Sequence, residues 1–203
     1  MSKIMKTIAI TSLIIVIVAI GIDTITAFLS FGRLSNAEED YLINVMLIGL
    51  LVFELFCNVL IVITSSLGIF NFSKEEFDKG QRRLADTVSG YGMFIIGTLF
   101  LTMSILSHIV GNIQIDAKSV FVILIFLGSV ILGELNSIKK LNFEMKIRGI
   151  LGIISNSLAV LGTTIMLSTA SAGPVSTMVF VLLLSAFILN IVFYSFMLKE
   201  NKQ

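Results

Sequence analysis

The sequence predicts an all-α fold, a polytopic bundle of six transmembrane helices with both termini cytoplasmic, and three observations carry that prediction. Of the 203 residues, 56% are hydrophobic and only 13% charged, and the mean hydropathy is +1.03, well outside the usual composition of a soluble domain. The apolar residues gather into six runs, each long enough to cross a hydrocarbon core of about 30 Å as a helix. The basic residues fall almost entirely in alternate connections. Solid apolar runs also lack the period-two alternation of a membrane barrel, and lipid leaves the helix as the other way to satisfy the backbone.

The first span runs from Thr7 to Leu29, behind Lys3 and Lys6. This opening resembles a secretory leader in outline, but the apolar stretch is long for one and continues past Asp23, so it is read as a span. The second runs from Leu42 to Phe70, after a loop carrying Glu38, Glu39 and Asp40, which is read as a solvated loop end. The third covers Gly90 to Asn112 and the fourth Ala117 to Leu135. The fifth covers Gly149 to Thr169, and the sixth runs from Val175 to Leu198 after a Ser-Ala-Gly-Pro turn. With loops this short, residues 1–203 form one transmembrane domain.

Sidedness follows from the basic residues. Lys3 and Lys6, then Lys74, Lys79, Arg82 and Arg83, then Lys139, Lys140, Lys146 and Arg148, and finally Lys199 and Lys202 share one side, leaving only Arg33 and Lys118 opposite. The excess of Lys and Arg marks the cytoplasmic face, which puts the chain in a plasma (inner) membrane with its N- and C-termini inside.

Two inner connections show patterns of their own. Ser73 followed by Glu76 reads as a capping box, with Phe77, Leu84 and Val88 on one face of a short helix along the interface. Leu141, Phe143, Met145 and Ile147 alternate with Asn142, Glu144, Lys146 and Arg148, which reads as an extended segment or an interfacial connector. The two halves of the chain show no alignable repeat.

Charge and motifs narrow the functional classes. A net charge of +1 gives no support to nucleic-acid binding. The single Cys57 rules out an intrachain disulfide or a thiolate cluster. There is no HExxH, P-loop, GxGxxG or GxSxG. Ser104 and His108 share a helix face but have no third, orienting group. No enzyme activity, metal or cofactor is therefore expected.

Ionisable residues inside spans are costly and point to function. Glu54 lies twelve residues into the second span, roughly 18 Å from its outer edge and near mid-membrane. Asn58 follows one turn later and is placed to hydrogen-bond it. With no Lys or Arg in the spans to pair with Glu54, the neutral acid is the form expected at rest. Asp23 is expected towards the outer side and Glu134 towards the inner side, so that Asp23, Glu54 and Glu134 occupy three levels, read either as an ion path or as Glu54 serving as polar glue between helices with Glu134 reaching the inner interface. In the fifth span Gly152, Ser155, Ala159 and Gly162 make a small-residue stripe for close packing, within the bundle or against a partner. Asn156 and Asn190 are placed to bond across the fifth and sixth spans.

Two functions fit. The first is a non-enzymatic integral membrane protein that binds another membrane protein or peptide, as an accessory subunit or an immunity-type protector against a membrane-active toxin. Its partners are then the lipid bilayer and another membrane protein or a second copy of the chain. The alternative is a small proton- or cation-linked transporter or channel using Glu54.

Overall fold

The computed structural model describes residues 2–34, 41–111, 116–141, 143–169 and 173–200, and side chains for all of these except 30–34 and 169. The expected acidic cluster Glu38, Glu39 and Asp40, the turn centres at 113–115 and 170–172, and Asn142 lie outside the described residues.

Six helices follow one another: α1 (Lys3–Leu34), α2 (Tyr41–Ser73), α3 (Phe77–Val110), α4 (Ala117–Ser137), α5 (Met145–Thr169) and α6 (Pro174–Glu200). All six are long and apolar enough to cross a membrane. Each coincides with an expected span, and most extend beyond it. The shortest, α4 with 21 residues, reaches about 32 Å, and the longest, α3 with 34 residues, about 51 Å, so the longer helices exceed a hydrocarbon core.

The chain runs up and down, and each helix packs on the next. α6 closes back on α1, and α3 also approaches α5 across the middle, so the architecture is a closed ring. We call one end of the ring near and the other far. At the near end, the Ser2 backbone N–H donates to Glu200 Oε1 at 3.1 Å, and Lys6 Nζ reaches the Ser73 carbonyl at 3.3 Å. At the far end α3 stops at Gly111, whose left-handed backbone (φ 77) lets its N–H bond the Ser107 carbonyl, a conformation glycine adopts without strain.

Inside the ring are two apolar clusters. The near one joins Met5, Leu13, Phe72, Leu84, Phe193 and Tyr194. The larger one joins Ile20, Ile61, Tyr91, Phe126, Leu183 and Phe187 with their neighbours.

Three local expectations are corrected. Ser73 does not cap a helix, because it is still the last residue of α2. The chain reverses within Lys74–Glu76, with Glu75 at φ 62, and Glu76 occupies the cap of α3 without a side-chain bond, its carboxylate paired instead with Lys79 at 3.0 Å. There is no separate interfacial helix. Phe77 opens α3, and Leu84 and Val88 on that same continuous helix are buried. Nor is the alternating stretch a strand. Lys139–Leu141 form a 3-10 turn and Met145 starts α5, with Arg148 N–H bonded to the Glu144 carbonyl at 3.1 Å.

The small-residue stripe of α5 is spent within the ring. Ser155 Oγ donates to the Ser129 carbonyl at 2.9 Å and Ser129 Oγ returns a bond to the Ser155 carbonyl at 3.0 Å, tying α5 to α4. Ala159 is fully buried. A Cβ on Gly162 would lie 2.7 Å from the Phe126 ring, and one on Gly152 would lie 2.5 Å from the Tyr194 ring. Asn190 Nδ2 donates to Asn156 Oδ1 at 3.0 Å, the bond expected across α5 and α6, and Ser12 of α1 donates to Asn190 Oδ1.

Candidate functional site

Depth is set by counting along helices that start from a common end. Asp23 lies twenty residues beyond Lys3 on α1, and Glu54 lies nineteen residues before Ser73 on α2. At about 1.5 Å per residue, both stand close to 30 Å from the near end. Their carboxyl groups accordingly come side by side, close enough to interact. Asn58, one turn nearer along α2, is almost fully buried and bonds across the helix pair: its Nδ2 donates to Asp23 Oδ2 at 3.0 Å and to Thr24 Oγ1 at 3.1 Å. The sequence suggested Asn58 as a partner of Glu54; in the fold it holds Asp23, and Asp23 meets Glu54.

A hydrogen bond between two carboxyl groups requires a proton on one of them, since an ionised carboxylate only accepts. Two carboxyls brought this close can share one proton. Among the described residues, no Lys or Arg lines the space in front of the pair. That space is a cavity of about 310 Å³ within the ring, walled largely by Ile20, Phe94, Ile95, Met166, Val179 and Leu183. It extends towards the far end, where Ser176 in the first turn of α6 lines it. Its volume is at the lower end of the range for small-molecule sites, roughly 300–1,000 Å³.

Tyr91 of α3 also lines the cavity. Its ring is clamped by Phe187 at 5.2 Å and Phe126 at 5.9 Å between centroids. The hydroxyls of Tyr91 and Thr163 approach each other without meeting in hydrogen-bond geometry, and both are buried without a partner, as is that of Thr98 on the cavity wall. A buried hydroxyl left unbonded costs about 1–3 kcal/mol.

Glu134 is elsewhere. It lines a groove between α2, α3 and α4 with Cys57, Thr64, Arg83 and Asp86, where Arg83 and Asp86 pair at 3.2 Å. Neither Asp23 nor Glu54 lines that groove, and Glu134 does not line the cavity. The expected three levels therefore reduce to one paired level, Asp23 with Glu54, and a separate Glu134. Ser104 and His108 are exposed on α3, away from the cavity. Among the described residues, no group of three or more His, Cys, Asp or Glu side chains converges as a metal site.

Sequence reasoning missed two features. Tyr91 is one, although Thr87, Tyr91 and Thr98, at helical spacing of four and seven, were a visible sign of a polar helix face. Arg148 is the other. It was counted among loop charges, yet it is only 4% exposed and donates to the Phe143 carbonyl, Gln81 Oε1 and the Asn136 carbonyl, each at 3.2 Å.

No protein-family model, curated protein or solved structure matches the chain.

Proposed function

We propose that this protein is a small proton- or cation-linked transporter of the plasma (inner) membrane, with both termini cytoplasmic and the Asp23–Glu54 pair as its cation site. One observation carries the reading: two carboxyl groups from adjacent helices come together inside a closed ring and face a cavity lined, among the described residues, by no basic side chain. An intramembrane acid retained without a basic partner is explained by traffic of positive charge past it. The partner-binding reading has less support, because the stripe that would serve a partner is filled by Phe126, Ser129 and Tyr194.

The sidedness of the basic residues supports an outward-facing cavity. In a Cys57→Ala background, cysteine replacing exposed His108 at the far end is expected to react with an impermeant thiol reagent on intact cells, and cysteine replacing exposed Lys140 at the near end is not. The opposite pattern reverses the orientation. Gln81 is unsuitable for this test, because it is buried.

The functional test is flux. In liposomes, Glu54→Gln is expected to keep the fold, since the amide can still donate to Asp23, and to lower proton-coupled cation flux by roughly tenfold or more. Unchanged flux in a folded Glu54→Gln protein rejects the reading.

A further inference from the structure

The lining of the cavity says which kind of cation it suits. We propose that the occupant is an organic monocation with an apolar body, a lipophilic ammonium, and that it binds beside the Asp23–Glu54 pair in exchange for a proton. This rests on the transporter reading and adds the substrate class to it.

The first argument is the wall. A bare alkali or alkaline-earth ion must replace its water shell with oxygen ligands on all sides. The cavity offers the two carboxyls at one place, the hydroxyls of Tyr91, Thr98 and Ser176 at others, and hydrocarbon or thioether over the rest. An alkylated ammonium needs no such shell. Its carbon surface gains from burial against Ile20, Ile95, Val179 and Leu183, and its charge is attracted to aromatic faces as well as to a carboxylate. Tyr91, Phe94 and Phe180 are the aromatic residues of the cavity lining.

The second argument is Tyr91. Its side chain is 1% exposed, its hydroxyl has no partner, and it lines the same cavity as the acids. The aromatic clamp of Phe126 and Phe187 holds it there. Apart from the nearby Thr163 hydroxyl, this leaves a polar group of a lining residue available beside the cavity.

The third is charge balance. One proton shared by the two carboxyls leaves the pair with a single negative charge, and a second makes the empty pair neutral. Among the described residues, Tyr91 is the only other titratable side chain lining the cavity; α5 contributes Met166, and α6 contributes Ser176, Val179, Phe180 and Leu183. A monocation therefore takes the place of the second proton. That proton leaves to water, the shared proton stays, and the occupied cavity is again neutral. Exchange of one charge for one charge avoids the large cost of a net charge in an apolar space.

The test uses the purified full chain in nanodiscs with benzyltrimethylammonium as probe, read by calorimetry in two buffers of different ionisation enthalpy. Binding is expected with release of about one proton per cation. Glu54→Gln, and independently Asp23→Asn should the first fail to fold, is expected to weaken binding by roughly tenfold or more, and loss of both acids together to remove the proton release. Tyr91→Phe is expected to weaken binding several-fold with proton release intact. Binding that is unchanged in both acid variants, or that releases no proton, overturns the proposal. Absence of probe binding alongside Glu54-dependent flux of inorganic cations or protons overturns the substrate class and leaves the transporter reading standing. Absence of both removes the two together.

Discussion

Gly152→Leu is expected to melt the protein at temperatures the parent chain survives, with a loss of about 3 kcal/mol or more, at the upper end for forced overpacking. Even the first carbon of the new side chain would stand 2.5 Å from the carbons of the Tyr194 ring. The ring has nowhere to move. It is fully buried, it meets Phe193 edge-on at 5.1 Å, and its hydroxyl accepts from Asn136 Nδ2 at 3.5 Å. Separating α5 from α6 would also strain the Asn156–Asn190 bond. Gly49→Leu is the control, since an added carbon there has nothing within 4 Å, and a change of within about 0.5 kcal/mol is expected for such a site. Heating while a maleimide dye reports exposure of the half-buried Cys57 thiol measures both. Equal melting of the two variants is incompatible with a stripe packed inside the ring.

Arg148→Ala is the second large effect. The guanidinium gathers three acceptors from separate stretches of chain: the Phe143 carbonyl ahead of α5, the Gln81 side chain on α3 and the Asn136 carbonyl on α4. Gln81 in turn donates to Asn136 Oδ1 at 2.9 Å. Removing the hub leaves buried oxygens without donors, at a cost of about 3 kcal/mol. Because Gln81 acts through the same network, Arg148→Ala combined with Gln81→Ala is expected to cost little more than Arg148→Ala alone. Additive losses in thermal melting show instead that the two residues act separately.

The helices were legible in the sequence because an apolar run long enough to span lipid leaves few alternatives. Their ends were not. Hydropathy records which residues avoid water, and the polar opening of α3 from Phe77 to Ser89 remains helical because Leu84, Ala85 and Val88 are buried against neighbouring helices. The same confusion misplaced the acids. Measured from the edge of its apolar run at Leu42, Glu54 falls mid-membrane and Asp23 falls outside it, whereas counting from the shared near end puts both at one level. The alternating stretch before the fifth span misled for another reason: eight residues that straddle a helix start show a period belonging to neither part. Asn156 and Asn190 were readable because paired amides at matching depth have few other partners in an apolar bundle. The cavity was not, since it is bounded by residues from five helices whose rotation about their axes no single run reveals.

Ring closure has a consequence for assembly. With only α1 to α5 in place the ring has a gap, with Ser12 on one lip and Asn156 on the other, and Asn190 of α6 is the residue that joins them. The same helix supplies Val179, Phe180 and Leu183 to the cavity wall. A five-helix form therefore leaves Asp23 and Glu54 beside an open seam with no enclosure to hold an occupant. The last step of construction is also the step that creates the site, and whatever settles there favours the sealed form over the unsealed one by mass action.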